Sequence, residues 1–391
     1  MKFNCEYEQE SNKPIKCNNM CESEKEKDRC NYCIDKDRIF FSGICDANKF
    51  TLTKFWTEII VNGTVTVPKE KLSIEEIDSI NAKVEILRKK VIITPVGRDD
   101  NGNTKTIKNY EGKNSTGRKL IVEGLICLSI SYVTLTKDQS VNRFHGKIPF
   151  SAFIVLEKDS CLDIDYLVLS CLEEICVKKV CNRSVDLSVA LLLNAVPVEN
   201  ECNDEVYKNY GVDCNNNVGF SLCKKCNCFE NIPVIKGICE PQKIDCLLKD
   251  NSRYWNEIFV PEILTIPECK PNINQVLTVT SSVKVMCQKV IETPRSKDES
   301  YEGLSLTGRK VIIQALLRQR ITYVSDKECK SVHSAHFDIP ISLYLVVPNT
   351  TEFIEKFKVE TCIEDIYACV LNGRQLFKNT TLFVKIKPIE C

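Results

Sequence analysis

The chain has 391 residues, enough for two or three domains, and carries 53 Lys+Arg against 53 Asp+Glu, so its formal net charge is zero. A nucleic-acid binder held by phosphate neutralisation is disfavoured by that balance, and 43% apolar residues with 14 Gly and 14 Pro exclude a disordered or collagen-like chain. The unusual count is 24 cysteines, about 6% of the residues and close to the density at which small secreted scaffolds are stapled together.

The N-terminal stretch MKFNCEYEQESNK lacks a basic n-region followed by an apolar h-region, so synthesis in a cytosol without a signal peptide is expected. No run of 18 apolar residues occurs, the most apolar stretch, Ser188 to Val198, being of strand length, and no membrane span is expected. A cysteine-rich chain that is not exported leaves zinc binding, or disulfides formed late in an oxidising environment.

Laid on itself, the sequence repeats. Phe55-Trp56-Thr57-Glu58-Ile59 recurs as Tyr254-Trp255-Asn256-Glu257-Ile258, an offset of 199 that also relates Val67-Pro68 to Ile266-Pro267 and Thr94-Pro95 to Thr293-Pro294. At Thr116-Gly117-Arg118-Lys119 against Thr307-Gly308-Arg309-Lys310 the offset falls to 191 and stays there through Cys171/Cys362 and Pro197/Pro388, so the first copy carries eight extra residues. They lie around Asp99-Asp100-Asn101-Gly102, whose Asn-Gly pair predicts a hairpin. Cys21, Cys30, Cys33 and Gly43-Ile44-Cys45 return as Cys214, Cys223, Cys226 and Gly237-Ile238-Cys239. The organisation read from this is a cysteine-rich segment over 1–49, a β domain over 50–200, a second cysteine-rich segment over 201–249, and a homologous β domain over 250–391.

In chain order, Ser73-Ile74-Glu75-Glu76-Ile77, and Pro271 to Leu277 in the second copy, read as short helical turns. After the Thr-Gly turn, Leu120, Val122, Ile126, Leu128, Ile130 and Tyr132 fall on one face at period two. The partner copy gives Val311, Ile313, Ala315, Leu317, Ile321 and Tyr323, with Gln314, Arg318 and Arg320 opposite, the pattern of a long half-buried strand. Further apolar runs at Ile148 to Leu156, Tyr166 to Leu169, Val185 to Val196, Ile339 to Val347 and Thr381 to Ile386 extend the series. The fold class predicted is all-β, two homologous antiparallel sandwich or barrel-like domains with loop-rich cysteine segments.

Several motifs suggest chemistry. Gly112-x4-Gly117-Arg118-Lys119 approaches a phosphate loop, but a strand follows where a helix is needed, so a turn is the better account. His145 and His336 share a repeat position and read as packed or hydrogen-bonded strand histidines, although Cys329, His333 and His336 could ligate a metal. Glu173-Glu174 and Glu364-Asp365, beside Cys171 and Cys362, read as solvated charge, because consecutive strand residues point to opposite faces. The sets Cys21, Cys30, Cys33, Cys45 and Cys214, Cys223, Cys226, Cys239 could each bind zinc, yet each has one Cys-x2-Cys where a zinc ribbon has two. The five cysteines shared by both copies are an odd number, so each unit must recruit an unshared cysteine, a metal or a neighbouring chain.

The order Trp-x-Glu-Ile, x-Val/Ile-Pro, Lys-Val-Ile strand, Thr-Gly-Arg-Lys, Tyr-Val strand end and His-x-x-Ile-Pro-Phe/Ile-Ser resembles the SPOCS domain of clostridial spore-coat and spore-morphogenesis proteins, over about 50–200 and 250–391. The resemblance implies a structural role at the spore surface, in coat or exosporium, for a protein made in the mother-cell cytoplasm, with no active site and no cofactor. The cysteine-rich segments are not part of that pattern but resemble, in composition, the cysteine-rich self-assembling proteins of spore coats and exosporia, which implies self-assembly into a sheet, ring lattice or filament hardened by intra- and interchain disulfides, with other spore-coat proteins as further partners. The cross-link candidates are then Cys5, Cys17, Cys21, Cys30, Cys33, Cys45, Cys171, Cys202, Cys214, Cys223, Cys226, Cys228, Cys239, Cys246, Cys362 and Cys391. The alternatives are an adaptor that docks another coat protein and a zinc-binding module.

Overall fold

A computed structural model of the chain describes residues 30–31, 39–46, 51–158, 160–198, 233–300 and 302–389. Each repeat contributes six long strands in the same order. In the first these are β1 Trp56–Thr66, β2 Ile74–Ile93, β3 Arg118–Thr134, β4 Val141–Val155, β5 Tyr166–Cys181 and β6 Ser184–Pro197. In the second they are β7 Trp255–Thr265, β8 Ile273–Arg295, β9 Thr307–Ser325, β10 Val332–Val346, β11 Phe357–Asn372 and β12 Gln375–Pro388.

The strands form two antiparallel sheets per domain, β1-β6-β5 against β4-β3-β2, and β7-β12-β11 against β10-β9-β8. The alternation on β3 and β9 is what closes each sandwich. Leu120, Val122, Ile126, Leu128, Ile130 and Tyr132 are all buried in the first core, and Val311, Ile313, Leu317, Ile321 and Tyr323 in the second. Gln314, Arg318 and Arg320 face outward, as the sequence pattern predicts. The two buried tyrosines hold repeat-equivalent hydrogen bonds, Tyr132 donating to the Leu72 carbonyl and Tyr323 to the Pro271 carbonyl, both at 2.9 Å.

Two predicted features differ. The short helical turns at 73–77 and 271–277 are instead the first residues of β2 and β8. Register irregularities at Ile74/Glu76 and Ile77/Ser79, and at Ile273/Gln275 and Val276/Thr278, stretch the inward spacing from two residues to three. Ile74, Ile77 and Ile80 are therefore all buried, and bulged strand imitates a helical period. The cysteine-rich segments also contain strand. Phe40–Ser42 pairs in parallel with β2, and Val234–Lys236 in parallel with β8, each adding a fourth strand to one sheet. The Asn-Gly hairpin forms as predicted, with Asp99 and Asn103 bonded across it and Gly102 at φ 81°. Among the described residues no helix is long and apolar enough to cross a membrane.

Candidate functional sites: a cysteine clasp and a charged inter-domain seam

The repeated Gly-Ile-Cys carries each cysteine-rich segment from one sheet to the other. After Phe40–Ser42 the chain turns at Gly43, whose φ of 91° favours glycine. A Cβ there would run into the Ala82 carbonyl oxygen, and one at the equivalent Gly237 into that of Ser281. The turn delivers Cys45 to β5, where its amide donates to the Leu172 carbonyl at 2.8 Å and its sulfur is bonded to Cys171, with the two Cα atoms 5.3 Å apart. In the second domain the Cys239 amide donates to the Ile363 carbonyl at 2.8 Å, and the Cys239 and Cys362 thiols are hydrogen-bonded to each other. That bond lowers the Cys239 thiol to about 7, whereas the shared bond and burial push the Cys362 thiol up. One clasp is a disulfide and the other a facing pair of thiols.

The second site lies where the outer face of β2-β3-β4 packs on the outer face of β11-β12-β7. Arg88 Nη2 donates to both oxygens of Asp365, at 2.9 and 2.8 Å, and Arg88 Nη1 lies 3.4 Å from Glu123 Oε1. Lys90 reaches Asp365 at 3.0 Å. Lys119 pairs with Glu257, both buried, and lies over the Phe153 ring, 4.5 Å from its centroid, while Phe153 meets Phe259 edge-on. Burial raises the Glu123 carboxyl to about 8, with the neighbouring Asp365 adding to the rise against the pull of Arg88. Burial likewise raises Glu364 and lowers Lys119, and the attraction between the two opposes both shifts.

The eight-residue insertion secures this seam. Its loop packs on the segment that enters the second domain, which opens with the short helix α1 Pro241–Cys246. Ile107 joins Ile244, Leu247, Leu248, Trp255, Cys362 and Phe383 in a small apolar cluster. Around it, Arg98 pairs with Asp245, Asn109 Nδ2 donates to the Trp255 carbonyl at 3.0 Å, Ser305 N donates to the Glu111 carbonyl at 2.7 Å, and Tyr344 OH donates to Glu111 Oε1 at 2.8 Å.

Glu364-Asp365 is thus corrected from solvated charge to buried charge. A bulge between Ile363 and Asp365 lets consecutive residues serve one face, and the first domain covers that face. Glu173-Glu174, the repeat equivalents, are exposed. His145 and His336, expected as packed, stand exposed on the outer faces of β4 and β10. His333 Nε2 lies 2.8 Å from Ser331 Oγ, and among the described residues no cluster of three His, Cys, Asp or Glu could hold a metal. Gly117 and Gly308 adopt φ of 88° and 96° at the start of strands, the turn role expected for them.

Of the cysteine candidates, Cys45, Cys171, Cys239 and Cys362 make the clasps, and Cys246 is an exposed thiol outside any disulfide, as are Cys161, Cys269, Cys287 and Cys329. Cys181 and Cys369 are disulfide-bonded. Cys5, Cys17, Cys21, Cys33, Cys202, Cys214, Cys223, Cys226, Cys228 and Cys391 lie outside the described residues, and Cys30 is described only as backbone paired with Cys181. The seam was missed by the face reading, although a signal existed: beyond the shared Ile121/Ile312 and Leu125/Leu316, the outer face of β3 carries Cys127 and Ser129 where that of β9 carries Arg318 and Arg320.

A family model described as SipL, SPOCS domain, matches residues 73–171 and 272–371, one match in each sandwich. No curated protein and no solved structure matches the chain.

Proposed function

The chain belongs to the SPOCS-domain family and so has a role connected with sporulation, and from that membership we propose that it is a non-catalytic structural component of the spore surface, in coat or exosporium, which assembles with copies of itself and is hardened by disulfides. The observation that carries this reading is the pair of clasps. Each cysteine-rich segment joins both sheets of the sandwich that follows it, one through a parallel strand and the other at the Cys45–Cys171 disulfide or the Cys239/Cys362 thiol pair. A cross-link made anywhere along such a segment therefore pulls on a folded domain. The exposed thiols of Cys246 and Cys287 offer further points of linkage.

The test is purification of the full chain, followed by micrographs and non-reducing gels. Ordered arrays that resist detergent until reductant is added are expected, since interchain disulfides replace an equilibrium contact with a covalent one. Protein that stays monomeric at high concentration under oxidising conditions would overturn the reading and favour an adaptor that binds another coat protein. Stoichiometric zinc in the purified chain would favour the zinc module.

A further inference from the structure

The seam uses only half of the faces that the repeat provides. The outer face of β2-β3-β4 is covered by that of β11-β12-β7, whereas among the described residues no sheet covers the homologous faces, β5-β6-β1 and β8-β9-β10, the latter meeting the first domain where Tyr344 bonds to Glu111. The open faces keep many of the seam's positions, although Cys287 and Gln314 stand where Arg88 and Glu123 do. Trp255, Glu257 and Phe259 of the covered face correspond to Trp56, Glu58 and Ile60. Trp255 is 2% exposed, while Trp56 is 49% and Ile60 60% exposed. Glu364 and Asp365 correspond to Glu173 and Glu174.

On the other side, Lys119 corresponds to Lys310 and Phe153 to Tyr344, and the lysine lies over the ring in both copies, at 4.5 and 4.1 Å. Ile121 and Leu125, each 1% exposed beneath the second domain, correspond to the half-buried Ile312 and Leu316. Lys90, which pairs with Asp365, corresponds to the exposed Lys289.

The open faces are two halves of one site. In the seam, Lys119 is held by Glu257 and by the charge of Glu364. On the first domain's open face the equivalent acids, Glu58 and Glu173, stand together with no lysine paired to them among the described residues, and burial together with the Glu58 charge raises the Glu173 carboxyl. On the second domain's open face Lys310 stands without its acids. Glu123, the acid beside Asp365 in the seam, is replaced by Gln314. The open faces are therefore complementary in charge, acid on the first domain and base on the second.

We propose that a second copy of this chain docks the open face of its first domain, bearing Trp56, Glu58, Ile60 and Glu173, onto the open face of the second domain, bearing Lys289 and Lys310, so that the contact joining the two domains within a chain is repeated between chains. This rests on the self-assembly reading above and gives it a geometry. The contact is head-to-tail, each chain keeps one face of each kind, and addition continues as a filament unless the rotation closes a ring. The chain-to-chain contact is the weaker of the two, because the insertion loop around Asp99 to Gly102 has no counterpart in the second domain.

Lys289→Glu with Lys310→Glu replaces the lysines of the basic face by acids, and Glu58→Lys with Glu173→Lys replaces the acids of the other face by lysines. Sedimentation velocity and micrographs of the full chain at low salt should show wild type forming linear oligomers. Each variant alone should need a concentration roughly tenfold or more higher, with an unchanged melting temperature. An equimolar mixture of the two variants should restore assembly. If wild type assembles and the variants assemble equally well, or the mixture fails to restore what each variant lost, this contact is wrong while self-assembly stands. Wild type that never assembles sinks self-assembly itself.

Discussion

Arg88 and Asp365 lie 277 residues apart in sequence, yet one guanidinium nitrogen of the first domain donates to both carboxylate oxygens of the second, at 2.9 and 2.8 Å. The Asp365 side chain is 1% exposed and that of Glu123, on the other side of Arg88, is 0% exposed. Two acids and one base out of water are tolerable only while the base remains.

Arg88→Ala should therefore destabilise the docked pair of domains by about 3 kcal/mol, since it takes from the buried Asp365 carboxylate its two-point partner and leaves it only the half-exposed Lys90. Lys54→Ala, which removes an ion pair whose partners are 64% and 62% exposed, should cost less than about 1 kcal/mol. Thermal melts of both variants check the contrast, and equal losses would show that the seam charges are not buried in solution.

The pH response follows from Glu123. Its folded carboxyl is raised by burial to about 8, so it keeps a proton that the unfolded chain gives up in the ordinary carboxylate range. Folding takes up that proton, and the associated stability is full in acid and is lost as pH rises through about 8. Melting temperature should fall over that window, and Glu123→Gln, which has no proton to lose, should flatten the fall. An unchanged slope in the variant would assign the titration elsewhere.

The clasps should differ in how readily they form. Mild oxidation should link Cys239 to Cys362, each thiol giving up its hydrogen to the oxidant, because the lowered Cys239 thiol supplies thiolate near neutrality. Peptide mapping after alkylation of the unreduced protein checks this. Cys239 and Cys362 recovered fully alkylated after oxidation, with Cys45–Cys171 intact, would contradict it.

Gly43→Ala should cost more than Gly102→Ala. Both residues have positive φ, 91° and 81°, and each pays about 1–2 kcal/mol for a Cβ in that conformation. A Cβ at Gly102 meets nothing, whereas one at Gly43 meets the Ala82 carbonyl. The difference between the two melts isolates the close approach of the cysteine-rich segment to β2, and equal melts would remove it.

The sandwich was legible because β3 and β9 each lay an unbroken period of two on the core, and the duplication checks one copy against the other. The starts of β2 and β8 were not, because a bulge changes the inward spacing and only a bonded partner strand reveals it. The seam escaped for another reason. A face reading assigns Glu364 and Asp365 to solvent by residue type, and nothing local records that a second domain arrives over them. What the sequence did carry was a difference between copies, Glu123 and Cys127 on one side and Gln314 and Arg318 on the other, which becomes meaningful once one face is known to be covered.

The Cys45–Cys171 bond also decides how the first domain meets a mechanical load. Its cysteines are separated by 126 residues. Tension applied between the chain before Cys45 and the chain after Cys171 crosses directly from sulfur to sulfur, leaving β1 to β4 and the insertion loop slack. Those strands can be neither unravelled nor lengthened by such a pull while the bond is intact. The domain behaves as a knot tied into a rope.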